Sequence, residues 1–465
     1  MSTIKTLLRS FTLCTALLAG LLLLTGCESF VDIDSPDAQL DAATVYQETG
    51  TADAAMVNIY AKLRSSVLAT GDVQGISILL GNAADELVCY NSFQAEEMFF
   101  QNNLVATNPT VATLWNDCYN LIYAANAVLE GVRNSTGIPQ PDKDRLTGEA
   151  LFVRAYIHFY LLNLFGEVPY VTVTDYLQNS TIGKIGSAEM YPLLIADLES
   201  AANLLPMPYA NSERVRPNSA AATALLARIC LYSENWAMAA QHATSVINDT
   251  SLYTWVEDLE SVFLKGSTGT IWQLMPPVQG MPTLEGQNFI VTVTPPPSRA
   301  LSPQLIAAFE PGDLRRVHWL GDITDGSSGW SFPYKYKQQL NASTTAEYSI
   351  LLRLEELYLI RAEAENKMQD TEHAREDLNK IRNRAGLADT PAMTQQELTA
   401  AIQHERQVEL FTEQGHRWFD LKRTGQADTA LGTLKPGWNA TDILWPLPQA
   451  ELLLNPNISP QNPGY

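Results

Sequence analysis

Along most of the chain the apolar residues return every three to four positions, the spacing of one face of an α-helix. Trp115, Tyr119, Ile122 and Asn126 follow one another at intervals of four, three and four, which predicts a helix over 109–131. Ala150, Val153, Ala155, Ile157, Tyr160, Leu161 and Leu164 predict another over 143–165, stopped by Gly166 with Pro169 beyond it. Helical spacing resumes over 348–367, 371–385 and 395–423. Residues 251–347 have a different texture, rich in Pro, Gly, Ser, Thr and aromatics, with Met275-Pro276-Pro277, Pro295-Pro296-Pro297 and Asp325-Gly326-Ser327-Ser328-Gly329. Short strands are predicted there at 270–274, 289–294 and 333–338, joined by loops.

Two stretches share one pattern. Ala227, Ala239, Ala243 and Val246 stand at offsets 0, 12, 16 and 19, and Ala362, Ala374, Leu378 and Ile381 repeat those offsets. Each stretch reads as a helix, a short polar turn (Ser233-Glu234-Asn235; Gln369-Asp370-Thr371) and a second helix, with small residues allowing close approach. The span and the alanine placement are those of a tetratricopeptide unit of ~34 residues. The expected fold is therefore mostly α, a tetratricopeptide-like helix-pair solenoid carrying a loop-rich insert with short strands.

The N-terminus sets the compartment. Lys5 and Arg9 precede an apolar run over 10–24, too short for a membrane span, and then comes Leu24-Thr25-Gly26-Cys27. This is the pattern of a lipoprotein leader (1–26), cleaved before a lipidated Cys27; an ordinary secretory leader is the alternative. Residues 27–42 hold the lipidated cysteine and an acidic, proline-interrupted tether (Glu28, Asp32, Asp34, Pro36, Asp37, Asp41). Several acyl chains, at ~0.8 kcal/mol per buried CH₂, hold a protein on a membrane without spanning it. The formal charge of −21 leaves no basic face to displace counterions from a polyanion, so nucleic acid is excluded as a partner. Of the 5 cysteines, Cys14 leaves with the leader. Cys89, Cys118 and Cys230 read as small buried hydrophobes, with one disulfide and one free thiol as the alternative.

Several segments carry a family likeness. They are Gly148-Glu149-Ala150, Arg154-Ala155-Tyr156, Phe165-Gly166-Glu167-Val168-Pro169, and Leu226-Ala227-Arg228 with Leu231-Tyr232. Near the end come Glu405-Arg406, Glu409-Leu410, Glu413, Gly415, Arg417-Trp418-Phe419-Asp420-Leu421 and Arg423, then Trp445-Pro446-Leu447-Pro448 and a final Gln461-Asn462-Pro463-Gly464-Tyr465. Together they resemble the SusD/RagB family of surface lipoproteins of Bacteroidetes, over essentially the whole mature chain. The resemblance implies an N-terminal helical region (43–250) and a C-terminal region (251–465) that contains the insert (251–347), further helices and a docked tail. It implies a lipid-anchored protein on the outer face of the outer membrane. Such a protein binds oligosaccharides, such as starch or other glycan fragments, and passes them to a SusC-like, TonB-dependent transporter. A peptide-binding, RagB-like capture protein and a lipoprotein scaffold for protein partners remain the alternatives.

The best binding candidates are aromatic. Trp319, Trp330, Phe332, Tyr334 and Tyr336 are five aromatics in 18 residues, where a content of 9% predicts fewer than two. Aromatic faces stack on the C–H face of a sugar while polar neighbours fix its hydroxyls. Trp330, between Gly329 and Ser331, is expected in a loop with no face to bury itself in, and Trp319 is the second candidate. Tyr334 alternates with Lys335 as one face of a strand would. Tyr90 and Asn91, in a polar loop with Asp85, Phe93 and Gln94, are further candidates.

The dense charges of 405–423 read as structural, with Glu413–Arg417 and Arg417–Asp420 expected to pair along one helix. The proline-rich tail reads as a clasp held by Trp445, Leu447 and Tyr465. No catalytic residue is expected. Glu96-Glu97 and Glu355-Glu356 are adjacent pairs, whose side chains on a helix diverge by about 100°, unlike the facing carboxylates of a glycosidase. His158, His242, His318, His373, His404 and His416 make no HExxH, and CxxC, GxSxG, Walker and GxGxxG motifs are missing. No metal site or cofactor is expected; a structural calcium on loop carboxylates and carbonyls would leave no signature.

Overall fold

The computed structural model describes residues 42–65, 71–91 and 94–465. Cys27, the leader and the tether to Asp41 lie outside the described residues, and Ala42–Val45 form one helical turn.

The N-terminal helices start and stop where their sequence signals stand. Asn108 caps α2 (Pro109–Asn134), its side chain accepting from Thr110 N and Val111 N ahead of a first-turn proline. Helix α3 (Gln140–Phe165) ends on Gly166 at φ +75°. Nearly all of α3 from Gly148 onward is buried on every side, because α2 and α4 (Ser187–Leu204) flank it. Helix α1 (Thr49–Ser65) packs on the outer side of α2.

The two repeats are helical hairpins, α5 (Ser219–Tyr232) with α6 (Trp236–Ile247) and α7 (Leu354–Lys367) with α8 (Thr371–Arg384). Ala227, Ala239, Ala243, Ala362 and Ala374 are all fully buried where the helices approach. The likeness extends to the turns. Glu234 (φ 57°) and Gln369 (φ 69°) each take the left-handed conformation, and Asn235 and Asp370 then cap the second helix. Helix α6 packs on α7, so the hairpins stack although about 100 residues of sequence lie between them.

Among the described residues, three two-stranded antiparallel pairs complete the fold. They are β1 (Leu87–Cys89) with β3 (Arg299–Leu301), β2 (Thr270–Leu274) with β6 (Ser349–Arg353), and β4 (Leu320–Thr324) with β5 (Gly329–Pro333). The strand predicted at 270–274 is β2. Residues 289–294 form no strand, since a helical turn runs to Phe289 and a coil follows. The strand predicted at 333–338 lies earlier, as β5. The helix predicted from 348 begins only at Leu354, because the five residues before it are buried on both faces as β6, a run whose spacing fits either structure. The long helix predicted over 395–423 breaks into α9 (Gln395–Glu409) and α10 (His416–Arg423), with Thr412, Gln414 and Gly415 between them at positive φ.

Tyr46–Tyr465 form one compact unit, which takes in residues on both sides of position 250. The tail is a clasp: Trp445 and Leu447 are buried, Trp445 meets the ring edge of Phe99 at 5.0 Å, and the Tyr465 hydroxyl donates to Leu444 O at 3.0 Å. Cys89, Cys118 and Cys230 are free, the last two buried. No helix among the described residues is long and apolar enough to cross a membrane.

Candidate functional site

Three of the candidate binding residues, Tyr90, Asn91 and Trp330, lie near the ends of two neighbouring strand pairs. In the β1–β3 pair Leu87 faces Leu301 and Cys89 faces Arg299, and Tyr90 N extends the ladder by donating to Ser298 O at 2.7 Å. Tyr90, just past the strand, is 45% exposed. Asn91 is half-buried, and its Nδ2 donates to Glu96 Oε2 at 3.3 Å, the oxygen that also receives Arg299 Nη2 at 3.4 Å. Strand β3 lies beside β5, which carries Trp330.

Trp330 is a strand residue, not part of a free loop. It lies opposite Ile323 on β4, half-buried, and shares its face with Phe332 two positions on. The hairpin is tight because Gly321 faces Phe332: a Cβ at 321 would come within 2.3 Å of that ring. On the other face Ser331 Oγ donates to Asp322 Oδ1 at 2.5 Å, and Arg316 grips the same carboxylate through both Nη atoms at 3.1 Å.

Trp319 is not a ligand platform. It is fully buried, its Nε1 donates to Leu259 O at 3.0 Å, and it meets Phe263 edge-on at 5.4 Å in the core beneath the insert. A large ring placed directly after a short helix and before β4 turns inward because that is where the apolar volume lies. Tyr334 is half-buried at the base of the hairpin, where its N donates to Trp319 O at 2.7 Å and Lys337 Nζ stands 4.2 Å from its ring centre. The structure thus leaves Tyr90 exposed and Asn91 and Trp330 half-buried near the ends of neighbouring strand pairs, holds Tyr334 at the base of the hairpin and takes Trp319 into the core.

Both strand pairs are tied to the segment that joins α9 to α10 and to the first turn of α10. Arg417 clamps Asp85, just ahead of β1, with bonds of 2.8 and 2.6 Å, and Thr412 N donates to Glu86 Oε1 at 3.0 Å. Lys335, just past β5, donates to Glu409 O, Phe411 O and Glu413 Oε1 at 2.8, 2.9 and 2.5 Å. Gly415, at φ +76°, passes so close to Leu80 that a Cβ would lie 2.1 Å from its side chain. The pairs expected along one helix are not made: the break at 410–415 leaves Glu413 outside α10, where it bonds Arg353 and Lys335, and Arg417 is taken by Asp85. Asp420 pairs with Arg406 and Arg423 instead. The sequence did carry a signal for this root: Asp85-Glu86 interrupts an otherwise apolar run, and charges in such a run need buried partners.

Burial sets the charge states at the root. Glu86 is pushed up to about 8 by burial, which outweighs the bond from Thr412 N. Burial also brings Lys335 down to about 8 despite Glu413 beside it. Glu409 goes the other way: burial would raise it, yet Arg384, Arg353 and Arg315, at 2.6, 2.7 and 3.0 Å, hold it well below the usual carboxylate range. Among the described residues, Glu310, His404 and Glu405 form the one group with the spacing of metal ligands. Arg382 bonds Glu310 at 2.6 Å and Arg315 pairs with Glu405 at 2.7 Å, so guanidinium groups already supply the positive charge there.

The comparisons with known proteins converge. A family model described as starch-binding and associating with the outer membrane matches residues 36–231, and the SusD family model matches residues 322–465. SusD-like protein P2 of Formosa agariphila is 26% identical, the match covering 96% of this chain and 98% of that protein. A SusD superfamily protein from Bacteroides vulgatus superposes with a TM-score of 0.79 at 21% identity, over 91% of this chain and all (100%) of that one. A laminarin-binding SusD-like protein superposes with a TM-score of 0.75 at 23% identity, over 90% of this chain and 100% of its own. With the stacked helical hairpins, the docked tail and the family matches over residues 36–231 and 322–465, the protein belongs to the SusD/RagB family of carbohydrate-binding proteins.

Proposed function

We propose that this chain captures oligosaccharides at the rim formed by Tyr90, Asn91 and Trp330 and delivers them, unaltered, to a SusC-like, TonB-dependent transporter. The observation that carries the reading is an exposed and a half-buried aromatic ring on two strand pairs that lie side by side, both tied to residues of the 409–417 stretch. Rings held in this way offer a preorganised stacking surface, at ~1 kcal/mol for each ring engaged. Carboxylates of the same rim are committed to arginine, Asp322 to Arg316 and Glu96 to Arg299, which favours binding over acid–base hydrolysis. Capture by stacking requires no cofactor or metal. Lipidation at Cys27 would hold the protein on the outer membrane, facing outward. The family models and the laminarin-binding neighbour support a glycan as the cargo.

The test is calorimetric titration of the chain from residue 28 onward with laminarihexaose, maltohexaose and a mixed peptide library, with the recovered ligand analysed for cleavage. Saturable binding of one saccharide, no products and a loss of about tenfold in affinity in Trp330→Ala are expected. Binding of peptides alone would make this a peptide-capture protein. Cleavage products would overturn the non-enzymatic reading.

A further inference from the structure

A second surface, built from elements other than β1, β3 and β5, has the chemistry of a saccharide site. It is a cleft of about 380 Å³ between the exposed face of α2, the 169–182 segment and the C-terminal tail. Trp115 and Tyr119 form its floor, their rings 4.8 Å apart. The Tyr119 hydroxyl is spent on Pro169 O at 2.9 Å, which fixes the ring. Two further tyrosines stand at the edge, Tyr123 at 54% and Tyr176 at 79% exposure, so their rings are open to solvent.

The walls are polar, and part of their capacity is unused. Asn120 and Glu451 line the cleft, and neither side chain has a hydrogen-bond partner among the described residues. Asn179 Nδ2 is bonded to Val173 O at 2.8 Å, whereas its Oδ1 is buried without a donor. The tail completes the enclosure: Asn455 Nδ2 donates to Ile182 O at 2.8 Å and Asn457 Nδ2 to Thr181 O at 2.7 Å, bringing Glu451 and Leu454 against the 169–182 segment. Ring faces beside unpaired amide and carboxylate acceptors match the alternating C–H and O–H surfaces of a sugar. No Lys, Arg or His lines the cleft, Glu451 adds a negative charge, and the chain as a whole carries −21. Sulfated and uronic sugars are thereby disfavoured.

We propose that this cleft is a second, independent binding site for a neutral saccharide, stacked on Tyr123 and Tyr176 and hydrogen-bonded to Asn120, Asn179 and Glu451. It would hold a second stretch of a long glycan, or a separate chain, while the rim holds the first. Two weak sites on one body raise the capture of a polymer above that of either alone.

The experiment uses the chain from residue 28 onward, which contains the whole compact unit, in a Trp330→Ala background. Laminarihexaose, maltohexaose and cellohexaose are titrated calorimetrically and soaked into crystals. At least one of the three should leave a residual isotherm and appear in the cleft against Tyr176. Tyr176→Ala and Tyr123→Ala, both at exposed positions that leave folding intact, should each weaken that isotherm about fivefold to tenfold. An isotherm wholly abolished by Trp330→Ala, no sugar in the cleft with any of the three, or residual binding indifferent to both tyrosine variants would each overturn the second site. Equal binding of a sulfated hexasaccharide would overturn its assignment to neutral sugars.

Discussion

Tyr90 and Asp85 are five residues apart, yet they belong to opposite environments. Tyr90 presents its ring to solvent at 45% exposure, while Asp85 is 6% exposed and doubly bonded to Arg417. Trp330 and Lys335 repeat the contrast on the neighbouring hairpin, one half-buried near its tip and the other buried against Glu413. At the roots, charges are desolvated and paired with backbone and side chains of the 409–417 stretch; at the tips, aromatic surface is left uncovered. A buried ion pair adds little net stability over an apolar packing, but it is severe toward misplacement, because a partner moved away leaves an uncompensated charge. Directional bonds thus fix one end of each strand, and the nearly non-directional rings ride on strands already positioned.

The comparison breaks most sharply at Glu409. Glu409→Ala would leave Arg315, Arg353 and Arg384 without the carboxylate they share, and a loss of about 4 kcal/mol or more in denaturant-unfolding free energy is expected. A loss below about 1 kcal/mol would show that the root network does not hold this region. Trp319→Ala should cost about 3–4 kcal/mol by the same measurement, the cost of a cavity in the core. If it instead lowered saccharide affinity with stability unchanged, Trp319 would belong with the tips.

Glu86 sharpens the comparison through pH. Its carboxyl, raised by burial to about 8, keeps its proton in the folded chain, while unfolded it ionises near 4.5. The folded state therefore holds a proton that the unfolded state releases. This contribution to stability is full below about pH 4.5 and is lost as the pH rises through about 8. Glu86→Gln retains an acceptor for Thr412 N and should remove this component of the decline, read as midpoint against pH; an unchanged profile would show Glu86 ionised in the fold. The smallest stability effect is expected at the tips. Tyr90→Ala should shift unfolding by less than about 0.5 kcal/mol while weakening saccharide binding several-fold, and a large stability loss there would erase the distinction between tip and root.

Local order was sufficient where it decides structure on its own. The α2 and α3 helices, the paired hairpins and the stop at Gly166 follow from spacing, caps and one glycine, since each depends on neighbours within a turn or two. The repeat was legible for the same reason: alanines at matched offsets place the same small surface on the same face in both hairpins. The docked tail was legible because large apolar groups on a chain that prolines keep out of a helix can be ordered only by packing.

The rest was decided by groups far apart in sequence. The apolar stretch at 349–353 is a strand because β2 offers it a ladder, a fact no local period contains. The break at 410–415 exists because Asp85, Glu86 and Lys335 draw the turn toward them, which makes two helices of a stretch whose spacing fits one. Trp319 and Trp330 have equal aromatic character in the sequence. Only the position of the core, assembled from Leu259, Phe263, Tyr336 and Phe411 along with the rest of the insert, sends one inward and leaves the other near the surface. Propensity and spacing set which segments are helices, because those energies are local. Which side chains remain free to meet a ligand is what remains after packing, and packing is decided by the whole chain at once.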